Sequence, residues 1–124
     1  MQAGLPLEVA KGSRTAVYAA VFNHDYERIQ LRDPLDVPFH HMTGAGHALL
    51  SNRLSYFFDL HGPSVTLDTG CSGSMIALHL ACQSIRIGEA DQALVGAANL
   101  ILDPTMMDPM STLRQAKAKA NSSG

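Results

Sequence analysis

An α/β layered fold is predicted by three features of this sequence. Residues 14–22, RTAVYAAVF, make a near-continuous apolar run, as expected of a buried strand. Residues 72–87 set Ser74, Ala77, Leu78, Ala81, Cys82 and Ile85 at helical spacing. Residues 91–102, DQALVGAANLIL, return to the apolar strand pattern. Strands alternating with helices over a single chain imply sheet and helix layers around one core.

After the first strand, NHDYERIQLRDPLDVPFHH turns polar and carries Pro34 and Pro38. It is predicted as loop with a short helix over 24–30. From Thr43, the run TGAGHALLSNRLSYFFDL supports a helix with Thr43 as its N-cap. Ala45, Ala48, Leu49, Tyr56 and Phe57, with Leu50, Leu54 and Phe58, give it a broad apolar face. His61-Gly62-Pro63 is the expected stop. PSVTLD is a short strand with Val65 and Leu67 on one face. The helix over 72–87 also carries Met75, Ile76 and Leu80, so it is apolar nearly all round and expected to be buried. Gly88 is its expected C-terminal stop. The strands at 14–22 and 92–102 are both expected to be buried on two faces.

The totals narrow the function. A chain of 124 residues holds one domain at most. With 46% hydrophobic and 16% charged residues it has the composition of a packed core rather than of disorder. A net charge of -2, with nine basic residues scattered, gives no case for nucleic acid or an anionic membrane as partner. No run approaches the ~20 apolar residues of a membrane span, and MQAGLPLEVAKGSR lacks a signal-peptide core. The two cysteines, Cys71 and Cys82, make neither a disulfide framework nor a zinc motif, which points to a reduced, cytoplasmic setting. QAGLPLE after Met1 has the character of a helix already under way, and RQAKAKANSSG abandons the hydrophobic pattern. The chain is therefore expected to be a fragment.

Chemistry concentrates at VTLDTGCSGSMIALHLACQSIR, residues 65–86. Cys71 is placed where a strand ends and a helix begins, among Gly70, Ser72, Gly73 and Ser74. Small neighbours permit a sharp turn and close approach of a substrate. The free N–H groups and dipole of the following helix favour thiolate, the nucleophilic form. The N–H of Cys71 is positioned to donate to an oxyanion formed by attack on a carbonyl. Cys82, mid-helix, is expected to be a small core filler. Asp68 is expected to brace the turn.

Other motifs do not fit. A hydrolase elbow needs glycines two residues either side of the nucleophile, and Gly70-Cys71-Ser72-Gly73 misplaces one. Gly44-Ala45-Gly46 begins a dinucleotide fingerprint that fails at Leu49. No phosphate-binding G-K-[ST] loop occurs. His40-His41 suggests a metal pair but lacks a third partner, so both are expected to be solvated loop residues and no metal is expected.

DTGCSGS resembles the active-site motif of β-ketoacyl synthases, the condensing enzymes of polyketide and fatty acid synthesis. The likeness extends through NRLSYFFDLHGPSVTLDTGCSGSMIALHLACQSIRIGEADQALVGAANLIL and upstream through GSRTAVYAAVFNHDYERIQLRDP, with the flavour of fungal highly reducing iterative polyketide synthases. It covers roughly residues 3–105, which sets 1–105 as a partial condensing domain and 106–124 as a divergent or disordered tail. The resemblance implies a thiolase-like fold, represented by about one half of the domain. It implies that Cys71 accepts an acyl chain from the phosphopantetheine arm of an acyl carrier protein, before decarboxylative condensation with a malonyl thioester. It implies no directly bound cofactor and no metal, and a homodimer with residues 60–70 near its two-fold interface. The family's two catalytic histidines and lysine lie in motifs well after the cysteine, and those motifs do not occur here. No catalytic role passes to His24, His40, His41, His47, His61 or His79. The isolated chain is therefore expected to be inactive in condensation and, lacking the half that covers its buried helix, to be poorly soluble. The alternatives are a non-catalytic remnant keeping only fold or dimer contacts, and a cysteine hydrolase, for which no base partner is evident.

Overall fold

A computed structural model describes residues 4, 6–36, 39–102 and 119–120. The expected tail, 106–124, lies outside the described residues apart from 119–120.

The apolar run near the N-terminus forms β1, Thr15–Val21, buried from Thr15 to Ala20 as its unbroken hydrophobicity predicts. It follows a short helix α1, Leu7–Ala10. After β1 come α2, Asp25–Gln30, α3, His41–Ala45, α4, Ala48–Phe57, β2, Ser64–Leu67, α5, Gly73–Arg86, and β3, Gln92–Ala98. The strands form one parallel sheet in the order β2-β1-β3. Tyr18 of β1 stands opposite Val65 of β2 and Val95 of β3.

Strand alternation divides β1 between two layers. Ala16, Tyr18 and Ala20 face α5 and build the core with Ala77, Ala81 and Ala90, joined by Leu67, Leu80, Ala93 and Val95. The opposite face packs on α4, where Ser51 is buried and its hydroxyl meets that of Thr66 at 2.9 Å. The result is helix, sheet, helix, as the alternation predicts. The core is built largely of alanine, so α5 lies close on β1. Gly73 marks the closest approach, since an added Cβ would stand 3.1 Å from the Ala20 Cβ.

The predicted elements around β2 and α5 appear where expected, with Val65 and Leu67 on one face of β2. Gly88 ends α5 at φ +80°. The Glu89 N–H donates to the Ser84 carbonyl at 3.0 Å and the Gly88 N–H to the Ile85 carbonyl at 3.2 Å. These two bonds are those of a Schellman motif.

Five expectations are corrected. Thr43 is not an N-cap. It lies inside α3, and the chain breaks at Gly46 before α4 starts behind His47. Two glycines weaken a continuous helix there, and His47 is held by Glu27. α4 also stops before the expected His61-Gly62-Pro63, because Asp59 adopts φ 51° and turns the chain. α5 is not buried all round. Gly73, Ala77, Ala81 and Ser84 face inward, while Met75, Leu78 and Ile85 are exposed. Cys82, expected in the core, is exposed with them. β3 ends at Ala98 rather than 102 and is an edge strand with an exposed face, not a strand buried on both. Periodicity shows which residues suit burial, but only a neighbouring layer buries them. On these two elements the described chain supplies a layer on one side only.

Candidate functional site

Because the sheet is parallel, the C-terminal ends of all three strands lie together, the usual ligand-binding end of an open α/β sheet. A cavity of about 640 Å³ opens there. β1 and the residues after it contribute Ala20, Val21, Phe22 and Asn23, the β2–α5 turn contributes Gly70, Cys71, Gly73 and Ser74, and the end of β3 contributes Ala97, Ala98, Asn99 and Ile101. Most of these lining side chains are apolar. The histidines and lysines of the described chain are absent from its lining.

The turn has the geometry its small residues suggest. Gly70 adopts φ +67°, a conformation that side chains with a Cβ resist. Asp68 braces it, with its Oδ1 accepting the Gly70 N–H at 3.0 Å. That bond holds the Asp68 carboxyl below the usual carboxylate range, with His24 adding a smaller effect in the same direction. The Ser72 hydroxyl turns back to the Thr69 carbonyl at 3.0 Å and makes no side-chain cap on α5. Cys71 is therefore an exposed thiol one residue before the N-cap of a 14-residue helix. Cys71 pairs with Thr69 in an isolated β-bridge across Gly70.

The second oxygen of Asp68 lies 3.4 Å from His24 Nε2. His24 is the N-cap position of α2, and its ring stacks on that of His47 at 3.6 Å. His47 Nε2 meets Glu27 Oε2 at 2.5 Å. This His24–Glu27–His47 cluster was not predicted. Its one sequence signal is His24 and Glu27 three positions apart at a helix start. His40 and His41, the pair that attracted notice, separate. His40 is an exposed turn residue against Phe39, whereas His41 opens α3 and meets Gln30 through Nδ1 at 2.9 Å. Asp25 is buried at the start of α2, and its Oδ2 accepts the Leu102 N–H at 2.8 Å. That bond ties the segment after β3 to the end of β1. No helix among the described residues is long and apolar enough to cross a membrane.

Comparison with known proteins agrees with this arrangement. The model of the β-ketoacyl synthase N-terminal domain matches residues 1–123. The highly reducing polyketide synthase sdnO of Sordaria araneosa is 53% identical over 120 residues, covering 97% of this chain and 4% of that protein. Highly reducing polyketide synthase 17 of Metarhizium anisopliae is 57% identical over 110 residues, covering 89% of this chain and 4% of that protein. Among solved structures, the ketosynthase from module 6 of the bacillaene synthase of Bacillus subtilis superposes with a TM-score of 0.75 at 30% identity, covering 90% of this chain and 18% of that one. The chain thus spans a small part of each relative, and its sheet and helices are a partial thiolase-like fold. A family match over nearly the whole chain, together with the same fold, places this chain in the β-ketoacyl synthase family.

Proposed function

We propose that this chain is the nucleophile-bearing segment of a ketosynthase, and that Cys71 accepts the acyl group. One observation carries the reading. Cys71 is an exposed thiol at the ligand-binding end of a parallel sheet, on a glycine turn at a helix start, opening into an apolar cavity of about 640 Å³. The sulfur attacks the carbonyl carbon of an acyl thioester and a C–S bond forms. The carbonyl becomes an oxyanion, to which the Cys71 N–H donates. Collapse expels the phosphopantetheine thiolate of an acyl carrier protein, which takes up the proton released from Cys71. The apolar lining suits an alkyl chain. Covalent capture divides the overall transfer into two easier steps.

In the second step a malonyl thioester loses carbon dioxide, and its carbanion displaces the acyl group from Cys71. Groups that stabilise that transition state are not among the residues lining the cavity. The described residues therefore support acyl transfer, while condensation requires further groups, and the chain alone is inactive in it. The partners in this reading are acyl- and malonyl-acyl carrier protein and a second copy of the synthase. β2 is an edge strand, which supports residues 60–70 as the dimer contact. The setting is the cytoplasm, where the thiol stays reduced.

The test is to incubate the chain with an acyl-pantetheine thioester and map the adduct by mass spectrometry. Acylation of Cys71 that disappears in Cys71→Ala is expected, with no β-ketoacyl product from added malonyl thioester. Absence of acylation, or acylation confined to Cys82, would overturn the assignment.

A further inference from the structure

We propose that His24, Glu27 and His47 form a binding site for a divalent transition-metal cation of the zinc class. One ligand atom from each lies within 4.8 Å of the other two. His24 and Glu27 belong to the first turn of α2, and His47 is the N-cap position of α4, 20 positions beyond Glu27. Tertiary packing, not a contiguous motif, assembles the set. Two imidazoles and one carboxylate make a donor set of the kind that holds zinc with a fourth position left for water. A cavity of about 450 Å³ borders all three residues and leaves room for that water.

The spacing suits such an ion after a small adjustment. Ligand atoms about 2.0–2.1 Å from a tetrahedral zinc stand about 3.3 Å from one another. The His47–Glu27 contact, at 2.5 Å, is a hydrogen bond. Entry of the cation displaces its proton and opens the pair by roughly 1 Å. Both side chains are partly exposed and free to make that shift. Asp68, 3.4 Å from His24 Nε2, adds a carboxylate that orients the His24 ring beside the site. The His24 and His47 rings stack nearly parallel at 3.6 Å, so binding also splays them until both nitrogen lone pairs meet at one ion.

The ion would pin the start of α2 to the start of α4. Through His24 and Asp68 it would also be joined to the Gly70 N–H, and so to the turn carrying Cys71. The site stands independently of the acyl-transfer reading, because none of its three ligands lines the Cys71 cavity.

The test uses the full chain with Cys71→Ser and Cys82→Ser, which removes both exposed thiols as competing ligands. Cobalt(II) is titrated in as a spectroscopic probe and then displaced with zinc. One saturable site with the visible absorption of a four-coordinate nitrogen and oxygen complex is expected. His24→Ala or His47→Ala weakens binding by at least about tenfold, Glu27→Gln weakens it while preserving shape, and His61→Ala has no effect. Lack of saturable binding overturns the proposal, as does affinity unchanged in both His24→Ala and His47→Ala. Equal loss in His61→Ala also overturns it, since that would report scattered surface coordination.

Discussion

Gly62→Ala removes no contact and adds one methyl group, yet it is expected to be the most damaging small substitution in the chain. A Cβ at residue 62 would lie 2.5 Å from the carbonyl carbon and oxygen of Thr15 and 2.6 Å from the nitrogen of Ala16. Those atoms belong to the central strand and cannot rotate aside as a side chain would. Gly62 has no unusual backbone angle, so the effect is steric. Relief requires residues 61–63 to move off β1. That motion strains the Gly62 N–H bond to Thr15 at 3.1 Å, the Val17 N–H bond to Pro63 at 2.7 Å, and the His61 N–H bond to Ser13 at 2.9 Å. Overpacking costs about 1–3 kcal/mol, and each weakened hydrogen bond adds about 1 kcal/mol. A total near 4–6 kcal/mol is expected, against the roughly 5–15 kcal/mol that holds a domain together. Gly96→Ala is the control. It lies in β3 with nothing within 4 Å of the added carbon. There, alanine gains about 0.5–1 kcal/mol over glycine. Urea unfolding followed by far-ultraviolet circular dichroism, at one protein concentration, compares the two. A Gly62→Ala variant within about 0.5 kcal/mol of the parent would refute the close approach, since overpacking alone predicts more.

Two further outcomes follow from the turn and from the exposed helix face. The Asp68 carboxyl is held below its ordinary range chiefly by the Gly70 N–H, so its ionised form favours the folded turn. That contribution is complete above the unfolded carboxylate range and is lost as pH falls through the depressed value. Asp68→Asn is expected to flatten the acid limb of a pH–stability curve below about pH 4, and an unchanged limb would contradict the brace. Met75 and Ile87, 67% and 68% exposed on and just beyond α5, lie on an apolar surface with Leu78 and Ile85. Size-exclusion chromatography is expected to show concentration-dependent association of the 13.3 kDa chain. Met75→Gln with Leu78→Gln should reduce it, and a monodisperse parent monomer would count against the exposed face as an association surface.

Much of the site was legible because local chemistry determined it. Gly70, Gly73 and Gly88 each sit where a turn or a close approach demands a small residue, and Asp68 braces the turn as expected. β1 was legible because it is central in the sheet and α5 and α4 cover its two faces. The exposed side of β3 and the outward residues of α5 were not, because burial depends on what stands opposite. Cys82 illustrates the difference. It occupies a helical position suited to a core, but the packed stripe runs through Ala77 and Ala81 instead. The His24–Glu27–His47 cluster escaped because its members meet only after α2 and α4 pack, whereas the adjacent His40 and His41 drew attention by proximity and then diverged.

The claim that Cys71 is the nucleophile is tested most directly by the alkylation rates of the two thiols in the folded chain. Both are exposed, so access does not distinguish them. Cys71 lies at the start of α5, where the helix dipole favours developing negative charge, and Cys82 lies in its middle. Limiting iodoacetamide with peptide mapping over time gives both rates in one sample, and denaturant removes the structural contribution. The account predicts faster labelling of Cys71 when folded and convergence of the two rates when unfolded. Equal rates in the folded chain, or faster labelling of Cys82, would contradict it.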